Sequence, residues 1–200
     1  MKLNTLLFTV FLISTFSFSQ EKDDLFNMIE QEEKKIELLP EKMIFTQSIL
    51  WGKKGFFRKT GISPLNLENR QKELKIRKTM LTTHQAIGYL TLASMIAQGI
   101  IGGKLYNGDE SLRSTHNTMG KVVNIGYFTG AGLSLFSPPP LINKKVKGFN
   151  SIKAHKILAT VHFSAMIATN YYKDKNKSNH KAAAYTAFAS YATAVLVIKF

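Results

Sequence analysis

Four of the five histidines in this chain stand in one repeated setting. HQAIG (84–88), HNTMG (116–120), HKILA (155–159) and HKAAA (180–184) each open an apolar run. Each also carries a small residue four positions on: Gly88, Gly120, Ala159 and Ala184. A neutral imidazole offers a ligand nitrogen to a metal near physiological pH. Residues i and i+4 share a helix face, with Cβ atoms roughly 5–6 Å apart. A small residue one turn from the histidine therefore leaves room for a flat ring lying against the helix. The chemistry this pattern suits is axial ligation of a porphyrin iron by His84, His155, His116 and His180, two imidazoles to each iron. The apolar runs contain no Asp or Glu, and the chain has no cysteine. Those two facts argue against general acid–base catalysis in the runs and exclude thiolate or iron–sulfur sites.

Such ligands need helices to face them. The runs at about 81–103, 116–136, 152–172 and 180–198 are each near the ~20 residues that cross a bilayer core, and Pro138–Pro140 closes the second. Short connections make neighbours antiparallel. The expected fold is all-α: a membrane up-down four-helix bundle. In it the first and third runs are diagonal partners, as are the second and fourth. His84 and His155 then meet near one end, and His116 and His180 near the other. Small residues throughout the runs allow close helix approach. Lys156 and Lys181 directly follow two of the histidines and are placed to pair with haem propionates, although snorkelling is the plainer role. His162 lies seven residues after His155, about two turns or ~10 Å deeper. It either replaces His155 or bonds within the bundle. Met95, Met119 and Met166 read as packing.

The rest of the chain frames this bundle. Formal net charge is +14, yet eight of the 13 acidic residues fall in the first 41 positions. Basic residues beyond them cluster between the apolar runs, as at headgroup-level loops. No basic helix face or motif points to nucleic acid. Residues 1–19 have the charged start, apolar centre and small-x-small end of a signal peptide, cleaved after Ser19. Residues 20–79 read as a polar, amphipathic helical segment, in which Trp51, Phe56 and Phe57 alternate with Lys53, Lys54, Arg58 and Lys59 as at a membrane interface. Residues 80–200 form the transmembrane domain. A cleaved signal puts the N-terminal segment in the periplasm of a bacterial-type inner membrane, against the positive-inside tendency of the loops.

The four histidine motifs over residues 80–200 resemble the cytochrome b561 superfamily. That resemblance implies a four-helix core with one ligand histidine per helix and two haem b groups, one held by His84 and His155 and the other by His116 and His180. It implies transmembrane electron transfer within a membrane oxidoreductase, in contact with lipid and with a donor and acceptor such as a periplasmic redox protein or a quinone. The chain departs from the family in having KILA after His155, where a leucine-glycine pair is usual, and in lacking an ascorbate-binding motif. The alternatives are a haem-free helical membrane subunit whose histidines are structural, and an exported scaffold.

Overall fold

Three asparagines set where the long helices start. In the computed structural model, which describes residues 37–141 and 150–198, Asn66, Asn150 and Asn176 each accept a hydrogen bond from the backbone N–H three residues on, at 2.8–3.0 Å. An Asn cap satisfies one of the free amides at a helix start and typically contributes about 1 kcal/mol. The helices these caps open are α3 (Leu67–Tyr106), α5 (Ser151–Tyr172) and α6 (Lys177–Val197). Before them come two short helices, α1 (Phe45–Trp51) and α2 (Phe56–Lys59). Between α3 and α5 lies α4 (Arg113–Leu135), entered through a 3-10 turn at Glu110–Leu112. Gly108, at φ 108°, makes the turn into it; that left-handed region strains any residue with a Cβ.

All regular structure among the described residues is helical, so the all-α expectation holds. The helices belong to a unit running from Leu39 to Phe200. The signal-peptide expectation and residues 20–36 lie outside the described residues. One boundary differs from the sequence reading. α3 begins at Leu67 and runs without a break through position 79. The charged stretch RQKELKIRK and the apolar run after it are one 40-residue helix.

α3 packs along α4, α5 along α6, and α3 more lightly on α6. Side chains join α4 to α5: Phe128 meets Phe163 edge-on, and Asn170 Nδ2 donates to Asn124 Oδ1 at 2.7 Å. That leaves α3/α5 and α4/α6 as the diagonals. A small core of Met95, Val123, Tyr127, Ala165, Met166 and Ala187 holds the middle. At Gly126 an added Cβ would stand 2.5 Å from Thr91 Oγ1, so the α3–α4 approach depends on that glycine.

α3 is long and apolar enough to cross a membrane; among the described residues it is the only such helix. α4, α5 and α6 have 23, 22 and 21 residues, so length suits a crossing. Their polar and basic residues, Lys121, Asn124, Lys153, Lys156 and Lys181 among them, interrupt them, whereas α3 carries one long apolar stretch after its charged start.

The segment expected at an interface packs on the end of α4. Trp51 is buried against Phe57, ring centres 4.4 Å apart, and its indole N–H donates to Phe136 O at 3.0 Å. Thr46 Oγ1 donates to Leu135 O. Two carbonyls at the end of α4, which have no partner within a helix, are thus taken up by α1. Phe56, Lys53, Lys54 and Lys59 stay exposed.

Beneath this lid lies a buried charge cluster. Arg58 grips both carboxylate oxygens of Glu73, Arg70 donates to the same carboxylate, and so does Ser63 Oγ. Arg70 and Glu73 are each 1% exposed. Arg70 also reaches Pro139 O and Pro140 O at 3.1 and 3.3 Å, and Arg77 reaches Pro138 O at 2.6 Å. The cluster pins the first turns of α3 to the proline stop after α4.

Candidate functional site

The four repeated histidines stand on the four long helices, and His116 and His180 are in ring contact. His84 on α3 and His155 on α5 lie toward one end of the four-helix arrangement, where each bonds a late carbonyl of α4 or α6. His116 on α4 and His180 on α6 lie near the other, with ring centres 6.2 Å apart and planes at 80°. Both couples cross a diagonal of the four-helix arrangement.

Antiparallel packing positions each ring. His116, His155 and His180 early in their helices, and His84 midway along α3, stand beside the late turns of a neighbour. His84 Nδ1 donates to Gly130 O on α4 at 2.8 Å. His155 Nδ1 donates to Ala194 O on α6 at 3.0 Å, and His180 Nδ1 to Thr169 O on α5 at 2.9 Å. A carbonyl only accepts, so Nδ1 carries the hydrogen in all three rings. Nε2 is left with a lone pair and makes no hydrogen bond among the described residues. A ring oriented through one nitrogen so that the other is basic is the usual arrangement of a ligand histidine.

His116 is the exception. Its Nε2 lies 3.4 Å from Gln98 Nε2 on α3, and its Nδ1 is buried with no partner. The ring edge rests on Gly102, where an added Cβ would come within 2.9 Å of Cε1.

The small residues have neighbours that the sequence did not reveal. The space beside Gly88 holds the Tyr191 hydroxyl, which donates to Gly88 O at 3.2 Å. The space beside Gly120 holds Gln98 Nε2. Ala159 and Ala184 are half-buried. Of the two lysines, Lys156 is exposed, whereas Lys181 places Nζ 3.8 Å above the Tyr106 ring. His162 receives the Tyr127 hydroxyl at Nδ1, 2.6 Å away, and meets Tyr191 edge-on. It also interacts electrostatically with His155 and His84. Its bonded place in the core matches the second of the two roles open to it.

The donor set limits what can bind. Among the described residues no three His, Asp or Glu side chains converge on one point. The protein supplies two nitrogens per couple, which suits a metal whose remaining ligands come from a macrocycle. With about 2 Å from metal to nitrogen and about 1 Å from nitrogen to ring centre, two trans imidazoles have centres roughly 6 Å apart. The His116–His180 ring centres fall near that figure, with the rings edge to face and His116 Nε2 turned toward Gln98.

No family model, curated protein or solved structure matches the chain.

Proposed function

We propose that the chain is a di-haem membrane cytochrome b of the b561 type, carrying electrons across a bilayer. The observation that carries this reading is the orientation of the rings: three of the four have Nδ1 held by a main-chain carbonyl of a neighbouring helix, and His116 and His180 meet across a diagonal. His84 and His155 would hold one haem b, and His116 and His180 the other. Haem iron with two imidazole ligands has no open position and exchanges single electrons without binding a substrate. The protein's contribution is to fix ring orientation, keep Nε2 basic and surround each couple with apolar residues.

The outer surface supports a bundle that crosses the membrane four times. Large apolar residues face outward on every long helix: Leu90 and Ile100 on α3, Ile125 on α4, Ile157 and Ile167 on α5, and Leu196 on α6, all exposed by half or more. Polar groups such as Asn124, Asn170, His162 and Thr91 face inward. Apolar-out and polar-in is the order that lipid favours and water opposes. In this reading the N-terminal segment lies on the periplasmic side of an inner membrane, and the chain serves as the electron-transfer component of an oxidoreductase. A periplasmic redox protein or a quinone supplies or accepts the electrons.

A haem-free subunit has one observation in its favour: the three Nδ1–carbonyl bonds also cross-link helices. Purified protein separates the two readings. The cytochrome reading predicts two haem irons per chain, with a b-type spectrum on reduction. Colourless protein from haem-replete cells contradicts it.

Gly102 provides a local check. Gly102→Ala pushes a methyl into the His116 ring, so haem is lost at the His116/His180 couple alone. Gly103→Ala meets nothing within 4 Å and retains both haems. Haem-to-protein ratios of the two variants test this.

A further inference from the structure

We infer that Gln98 is the missing anchor of His116, doing with a side chain what main-chain carbonyls do for the other three rings. The inference rests on the di-haem reading and goes beyond it. Only three buried side-chain polar atoms lack a hydrogen-bond partner among the described residues: Arg58 Nε, Gln98 Oε1 and His116 Nδ1. Two of the three belong to side chains already in contact, and they are complementary. In the tautomer that accepts from Gln98 at Nε2, His116 Nδ1 carries a hydrogen with no acceptor, and Gln98 Oε1 is an acceptor with no hydrogen. An unmet buried group costs about 1–3 kcal/mol, so the arrangement is frustrated twice over.

Turning the Gln98 amide does not relieve it. Oε1 would then accept from Nε2–H, and Nδ1 would still be unpaired. Gln98 faces His116 Nε2, and turning the His116 ring so that Nδ1–H donates to Gln98 Oε1 satisfies both orphans and leaves Nε2 free for a metal. That is the arrangement of His84, His155 and His180, with a glutamine in place of Gly130 O, Ala194 O or Thr169 O. Gly120 and Gly102 leave the room for it. The Gly120 Cβ position is 3.2 Å from Gln98 Nε2, and Gly102 abuts the ring. Gln98 and Gly102 are also four residues apart on α3, so the glutamine and the space for the ring lie on one helix face.

Gln98 is thus a positioning residue for one haem. It is the only anchor of the four that a point mutation can remove or strengthen. An acceptor on Nδ1–H makes the imidazole a stronger donor and favours the oxidised iron. Gln98→Leu should weaken haem binding at the His116/His180 couple by about tenfold or more and raise that haem's midpoint potential. Gln98→Glu, nearly the same size, should keep the haem and lower its potential. The other haem should titrate as in the parent.

The test is a potentiometric titration with haem quantification on the full-length protein and both variants, repeated in the His180→Ala background. There the one remaining haem should ignore either change at Gln98. Opposite shifts confined to one haem, absent in that background, establish the anchor. Two haems with parental potentials in both variants overturn it, as do equal shifts of both haems. A parent protein without haem overturns the di-haem reading itself, a failure visible before any variant is made.

Discussion

Glu73→Gln should cost the protein about 3–5 kcal/mol, the usual penalty for removing one partner of a buried ion pair. Among the described residues the carboxylate is the negative charge that Arg58 and Arg70 both grip, with Arg77 beside them. Without it Arg58 keeps only neutral partners among the described residues, Trp51 O and Ser63, and its Nε already has none. Each unit of charge left in a dry site is expensive because little solvent compensates it. For a domain of this size the loss corresponds to a fall in melting temperature on the order of 10 °C. Trp51, the chain's single tryptophan, reports on the lid directly. Its fluorescence should show α1 releasing Phe136 before the long helices unfold.

The same carboxylate makes the lid acid-sensitive. Burial alone would raise its pKa, but hydrogen bonds from Arg58, Ser63 and Arg70 outweigh burial and hold it below 4.5. A depressed folded-state pKa means stability that is complete above the unfolded value and is lost as pH falls through the folded one. The parent should therefore lose lid stability steadily below about pH 4.5, while Glu73→Gln, already lacking the charge, should show a flatter profile there. Equal slopes in a Trp51-monitored pH titration would remove Glu73 from this role.

The sequence made the helices and the histidine couples legible for different reasons. Helices showed through length, hydropathy and the proline stop at 138–140. The proposed couples followed from counting: histidines opening the apolar runs, plus antiparallel connections, put residues 84 and 155 toward one end and 116 and 180 toward the other, although His84 sits midway along α3 because the charged stretch before it is helical too. The lid was not legible, because Arg70 and Arg77 find carbonyl partners at residues 138–140, more than sixty positions away, and Arg58 and Ser63 reach Glu73 only once the chain has folded back. Taken alone, RQKELKIRK is an ordinary solvated face. The Asn caps at 66, 150 and 176 were visible in principle, each standing just ahead of a helical stretch. The small residues after each histidine signalled a need for space, but spacing alone could not say what fills it. At Gly88 the neighbour is Tyr191, and at Gly120 it is Gln98. Gln98 itself carried a faint signal in QGIIG, the same four-residue interval as the histidine motifs.

The pairing of histidines is the claim on which the function depends, and haem counts in double variants read it directly. Each single change among His84→Ala, His155→Ala, His116→Ala and His180→Ala should reduce two haems per chain to one. Pairing makes a sharper statement about doubles. His84→Ala with His155→Ala breaks the same couple twice and should still retain one haem. His84→Ala with His116→Ala breaks both couples and should retain none. The measurement is the haem-to-protein ratio of these two doubles, purified side by side with the parent. One against zero is the predicted result; equal haem content in the two, whatever its value, would contradict the account.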